Sequence, residues 1–230
     1  SSVTFSDVDD SIVPSSWGIY VQGQSGLKLK SISCAGAYGS EIKKVKMTAD
    51  SRIRATDYPE LPEMDHISQS GEVSIMITVT DSRNRTVNKR AVVSIVSYAS
   101  PKLSSIKSER CNASGETDND GTYFLSTTSA VFSSCLGKNA LTLTVKYKRT
   151  DLKNYGNEVQ INPGSNVCAN NDLDPEYSYD VLYTLSDEFN TVTYSDFVST
   201  AVYLMHFLHG GRGVAFGQKA TLADTLDCNF

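Results

Sequence analysis

Between Val73 and Val79 the chain alternates: Val73, Ile75, Ile77 and Val79 are separated by Ser74, Met76 and Thr78. A period of two places one apolar row on one face of a sheet and a mostly polar row on the other. The run Asp81 to Thr86, DSRNRT, interrupts the pattern with residues that bond their own backbone and tolerate left-handed geometry, so it predicts a turn. Ala91, Val93 and Ile95 then restore the alternation, and Val73 to Val96 reads as a β-hairpin.

The pattern recurs 106 residues later in YDVLYTLSDEFNTVTYSDFVSTAVY, where Val73, Ile75, Ile77 and Val79 fall on Tyr179, Val181, Tyr183 and Leu185. Thr78, Asp81, Asn84, Val92 and Val96 meet identical residues at Thr184, Asp187, Asn190, Val198 and Val202. A repeat of that length ending each time in a hairpin has the size of an immunoglobulin-like sandwich. The expectation is an all-β chain of two tandem immunoglobulin-like or fibronectin III-like sandwiches followed by a short Gly-rich β extension. The expected divisions are 1–100, with an N-terminal arm, 101–203, and 204–230.

Further strands are predicted at Gly18 to Val21, at Leu27 to Cys34 and around Ile42, Val45 and Met47. Asp50 to Ser70, with Pro59 and Pro62 and many polar residues, reads as a long loop. Ser97 to Ser105, stiffened by Pro101, is the expected boundary between modules. In the second module strands are expected at Tyr123 to Phe132, at Ala140 to Lys148 and at Glu158 to Ile161. The stretch LDPEYSY resembles the fibronectin type III pattern in which a Leu-x-Pro corner precedes a buried Tyr. Tyr179 then reads either as a tyrosine corner or as an ordinary inward-facing Tyr.

Composition changes this picture little. At 230 residues, 40% hydrophobic and 20% charged, the chain has room for two domains with cores of their own. No apolar run approaches the roughly 20 residues a membrane-spanning helix needs. The opening SSVTFSDVDD has neither the basic head nor the apolar stretch of a signal peptide, and the first residue is not Met, as expected of an excised fragment. The net charge of −5 resides wholly in residues 101–230, and neither half offers the basic face that nucleic-acid binding requires. The cysteines, at 34, 111, 135, 168 and 228, are odd in number without metal spacing, and Trp17 precedes them all. They read as thiols, most of them small core residues.

Candidate chemistry is sparse. Glu116, Asp118 and Asp120 before Gly121 mimic the first half of a calcium loop, but the twelfth position is Thr127 and not the bidentate Glu that completes one. Asn119-Asp120-Gly121 is equally an ordinary turn, which is the stronger reading. His206-x-x-His209 would bring two imidazoles together only in a helical turn, which the following glycines oppose. No Gly-x-Ser-x-Gly elbow and no phosphate-binding loop occurs, so no catalytic residue and no cofactor site is assigned.

Four phrases in order carry a resemblance: YVQGQS from Tyr20, VTDSRNRT over Val79 to Thr86, SYASPKL from Ser97 and GRGVAFGQKA from Gly211. With Arg110 and the Gly121-Thr122-Tyr123 triplet, they make the chain similar to minor structural proteins in the tails of long-tailed phages and prophages of Gram-positive bacteria. The similarity covers most of residues 18–225. Asn84 stands where that family usually has Gly. The resemblance implies a virion component of tail tip or fibre, assembled in the bacterial cytoplasm, with no catalytic residue to transfer. It also implies other tail proteins as partners and a carbohydrate or protein on the host surface as receptor.

The last segment, LMHFLHGGRGVAFGQKATLADTLDCNF, concentrates glycines at 210, 211, 213 and 217 among apolar residues. Such density suits tight turns and close backbone approach. Gly211, Gly213, Val214, Phe216 and Gly217 are the candidate assembly residues, expected to pair as β-structure between copies, with a trimer favoured for a component arranged about a tail axis. The alternative is packing on the chain's own second module. In function the alternative is an immunoglobulin- or fibronectin-like binding module of a bacterial adhesin or extracellular polysaccharide-active enzyme.

Overall fold

A computed structural model describes residues 3–200, 205–208, 210–217, 220 and 222–228. The described residues form strands and one 3-10 turn, Ser15–Trp17, and no α-helix. They sort into two compact units: residues 1–100 with 132–141 and 187–190, and residues 101–131 with 142–186 and 191–230. The two internal stretches of the first unit come from loops expected in the second module.

The first unit contains β1 (Val3–Ser6), β2 (Tyr20–Val21), β3 (Leu27–Ile32), β4 (Ile42–Ala49), β5 (Arg52–Asp57), β6 (Glu63–Met64), β7 (Gly71–Asp81) and β8 (Thr86–Val96). One sheet has the order β1-β3-β6 and the other β2-β8-β7-β4-β5, with β2 parallel to β8. Leu27, Leu29 and Met64 from one sheet meet Val45, Met47, Val73, Ile75, Ile77 and Ile95 from the other in one core. This is a two-sheet sandwich whose alternating inward residues interdigitate. The predicted loop over Asp50 to Ser70 is corrected by β5 and β6. The side chains of β5 are all partly or wholly exposed, which erased the apolar signal, and β6 is two residues long.

The second unit contains β9 (Lys102–Cys111), β10 (Tyr123–Val131), β11 (Thr142–Arg149), β12 (Val159–Ile161), β13 (Gly164–Cys168), β14 (Tyr179–Ser186) and β15 (Thr191–Val198). After them come three short strands, β16 (Met205–Phe207), β17 (Val214–Phe216) and β18 (Leu226–Cys228). The sheets are β13-β10-β9, β12-β11-β14-β15 and β16-β17-β18. The first two face each other, three strands against four, in the strand order of a fibronectin III-like sandwich. Tyr183, fully buried on β14, spans the interior: its hydroxyl lies 2.9 Å from Ser126 Oγ and 2.8 Å from Ser108 Oγ, on β10 and β9.

The two repeats correspond in their hairpins. Val73, Ile75, Ile77 and Val79 are buried, as are Tyr179, Val181, Tyr183 and Leu185. In each, the first turn residue is an Asp that organises the backbone. Asp81 Oδ1 accepts the N–H groups of Arg83 at 2.9 Å and Arg85 at 3.0 Å, and Asp187 Oδ1 those of Phe189 at 2.9 Å and Asn190 at 2.8 Å. The returning strands differ in phase. Thr80 pairs with Thr86 across five turn residues, whereas Ser186 pairs with Thr191 across four. A slip of one residue turns every side chain to the other face. The identity of Val92 with Val198 is therefore not a structural equivalence: Val92 is 53% exposed and Val198 is fully buried. Val202 and Tyr203, on which the repeat and the second boundary also rested, lie outside the described residues.

Candidate assembly site at the C-terminal sheet

Arg110 is the last inward-pointing residue of β9, opposite Phe124 on β10, and is 6% exposed. Its guanidinium bonds three backbone carbonyls: Gly121 at 2.9 Å, Tyr177 at 2.8 Å and Ser199 at 3.1 Å. It also lies 5.8 Å from the centre of the Tyr179 ring. A guanidinium is suited to this because it spreads five donors in a rigid plane. Burial draws its pKa down, while Tyr179, Asp174 and Asp120 act in the opposite direction.

Tyr179 shares this corner. Its hydroxyl accepts the N–H of Asp174 at 2.8 Å, so the tyrosine-corner reading of LDPEYSY is the one realised. Leu173, which precedes that N–H, is buried. Together Tyr179 and Arg110 tie the approach to β10, the approach to β14 and the exit from β15 to one point. Ser199 is the exit, and the chain continues from it toward the C-terminal sheet.

In that sheet β16 pairs antiparallel with β17, Met205 opposite Phe216 and Phe207 opposite Val214. β18 runs parallel to β17, with Leu226 beside Val214 and Cys228 beside Phe216. Directly paired residues share a face. Met205, Phe207, Val214, Phe216, Leu226 and Cys228 therefore form one uninterrupted apolar face. Met205 is 49%, Phe207 56% and Leu226 69% exposed. The opposite face carries His206, Ala215 and Asp227, and Ala215 is fully buried.

The candidate glycines have distinct roles. Gly211 and Gly217 have φ of 74° and 75°, the left-handed region that an L side chain resists. Gly213 is a close approach: a Cβ there would stand 2.3 Å from the carbonyl oxygen of Leu222. Val214 and Phe216 are half-buried on the apolar face. His206 Nδ1 accepts the Ala220 N–H at 3.1 Å, and His209 lies outside the described residues.

Two of the three candidate calcium carboxylates, Glu116 and Asp118, bond within the loop that holds them. The Glu116 carboxylate accepts from Asn112 Nδ2 at 2.9 Å, and Asp118 Oδ1 accepts the Asp120 N–H at 3.1 Å. Gly121 closes this turn against β9, where a Cβ would stand 2.1 Å from the Cys111 carbonyl oxygen. Among the described residues no group of three His, Cys, Asp or Glu side chains is placed to hold a metal ion. All five cysteines are free, with Cys111 and Cys135 buried and Cys228 exposed.

No protein-family model and no curated protein matches the chain. Among solved structures it is similar to the FN1–FN3 domains of chicken CNTN1, at 12% identity over 79% of this chain, TM-score 0.33. It is also similar to a Ca2+-stabilised adhesin that helps an Antarctic bacterium reach out and bind ice, at 14% identity over 89%, TM-score 0.41. A segment of two fibronectin type III domains from chicken tenascin aligns at 12% identity over 86% of this chain and 98% of its own, TM-score 0.30. The chain spans 65% of the CNTN1 structure and 51% of the adhesin. The sandwich architecture follows from the strand order and the core packing.

Proposed function

We propose that this chain is a non-enzymatic structural component of a bacteriophage tail tip or fibre, which spaces or presents a host-binding element at the bacterial surface. The observation that carries this reading is the exposed apolar face of the C-terminal sheet. Covering a Phe, Leu or Met side chain contributes about 1.5–3 kcal/mol, so a face of this kind is stabilised by a partner. The occupant is a further copy of this chain, with a trimer the assembly expected about a tail axis. The ordered phrases from Tyr20 to Ala220 support the tail assignment, and other tail proteins are the neighbours it entails.

Light scattering on the intact chain and on the double variant Phe207→Ser, Leu226→Ser tests the assembly. The intact chain is expected to run as an oligomer and the variant as a folded monomer; a monomer in both removes the assembly role. Immunogold labelling tests the tail assignment. An antibody against the chain is expected to decorate the tail end of virions produced by its host. Labelling of the cell surface in cultures without virions would favour an adhesin module instead.

A further inference from the structure

We propose that the second unit binds a neutral, extended saccharide in a groove along Tyr147 and Val159. This deepens the reading of the chain as a host-facing component and rests on it. Two adjoining hollows, about 430 and 560 Å³, share those two residues. One is lined by β12 and β13, the edge strands of the facing sheets, with Val145 and Ile161 among its walls. The other lies against the loop between β11 and β12.

The lining has the chemistry of sugar recognition. Tyr123 and Tyr147 line the first hollow and Tyr147 and Tyr155 the second, with the buried Tyr179 behind them. The apolar faces of pyranose rings pack on such rings, while their hydroxyls need groups that both donate and accept. Carboxamides provide this: Gln160, Asn166 and Asn170 in the first hollow, Asn154 and Asn157 in the second. Two hollows of this volume side by side leave room for several linked units.

Charge decides which saccharide. The first hollow has no ionisable acid or base other than tyrosine and Cys168. In the second, Lys148 lies 2.7 Å from Asp180, Arg149 lies 2.6 Å from Asp151, and Asp172 accepts from the Tyr147 hydroxyl at 3.1 Å. Both basic groups of the lining are thus ion-paired, and Asp172 is held by a hydroxyl. Lys146, outside the lining, lies over the Tyr155 ring at 5.8 Å, so no lining cation is free to select a uronate or a phosphate. Burial, and then the Asp172 carboxylate, push the Tyr147 hydroxyl up to about 12, so it remains a donor.

The rim is held in an uncommon conformation. Ala169, Asn170 and Asn171 have φ of 78°, 45° and 67°, three successive left-handed residues without a glycine. The Asp172 N–H closes the turn on the Ala169 carbonyl at 2.9 Å. Local strain of this kind gathers at ligand clamps, and here it sets Asn170 at the mouth of the groove.

The test is an NMR titration of the intact chain with cellotetraose and with tri-N-acetylchitotriose, using a galacturonate tetramer as the anionic control. Backbone resonances of Tyr123, Tyr147, Tyr155 and Gln160 are expected to shift with a neutral probe at millimolar concentration and not with the control. Tyr155→Ala is expected to weaken binding roughly tenfold. Val159→Glu, at an exposed position, is expected to abolish it with the rest of the spectrum unchanged. The proposal is overturned if neither neutral probe moves groove resonances, if the control binds as tightly, or if both variants bind as the parent does. Binding is read on the sandwich and the tail role by light scattering and immunogold, so either can fail alone.

Discussion

The Ser40 hydroxyl donates to the Asp81 carboxylate at 2.9 Å, tying the turn before β4 to the turn after β7. Asp187 stands in the same relation to the segment before β11, its Oδ2 accepting from Asn139 Nδ2 at 3.0 Å. The two repeats thus share a turn Asp whose Oδ1 serves its own hairpin and whose Oδ2 reaches the approach to a neighbouring strand, Oδ2 of Asp81 also taking the Arg85 guanidinium.

The Asp81 carboxylate gives a pH dependence. Burial raises its pKa, but the Arg85 side chain, the N–H groups of Arg85 and Arg83, and the Ser40 hydroxyl together hold it well below the usual carboxylate range. A folded value below the unfolded one contributes stability that is present above the unfolded pKa of about 3.9 and is lost as pH falls through the folded value. The melting temperature of the parent should fall below that pH. Asp81→Asn should melt lower at neutral pH and show a shallower acid loss. Parallel pH profiles for the two proteins would refute the role given to Asp81.

Tyr183→Phe removes the hydroxyl shared by Ser126 and Ser108 and leaves the fully buried Ser126 hydroxyl without that partner. The expected loss is about 1–3 kcal/mol in urea unfolding. Adding Ser126→Ala should recover part of it, because the orphaned group is gone. A single variant as stable as the parent would mean the bridge contributes nothing net.

Arg110→Met leaves three carbonyls, at Gly121, Tyr177 and Ser199, without their donor. The expected cost is about 2–4 kcal/mol, and Arg110→Lys should recover only part, since an ammonium lacks the planar fork. Limited proteolysis gives a second readout, because release of Ser199 should speed cleavage between β15 and β16. Wild-type stability and cleavage in Arg110→Met would exclude the clamp.

Thiol reactivity should divide by burial. Cys168 is pushed up to about 11, first by burial and then by Cys111, and burial also raises Cys111 and Cys135. At pH 8 a disulfide reagent should modify Cys228 promptly in the monomeric Phe207→Ser, Leu226→Ser variant and Cys168 slowly, with Cys168 accelerating as pH approaches 11. Unfolding without reductant should release all five thiols. A count of three or fewer would require a disulfide.

The sequence by itself determined the parts of this protein where one face is buried and the other wet. Val73 to Val79 and Tyr179 to Leu185 alternate because each of those strands lies inside its sheet, and burial then writes a period of two into the residues. Asp81 and Asp187 were legible as turn residues because an Asx turn is made within a few positions of chain. The glycines at 211, 213 and 217 likewise answer to local backbone geometry. Edge strands escaped for the opposite reason: β5 and β13 have little or no fully buried side chain and so no apolar rhythm. Only the tertiary structure decided the rest. The phase of β15 depended on a turn one residue shorter than its counterpart, which identity at Val92 and Val198 concealed. The carbonyls that Arg110 gathers lie 11, 67 and 89 positions away, and the groove at Tyr147 joins strands and loops from both sheets. Such sites arise from where packing brings distant backbone together, and no local pattern of residues encodes that.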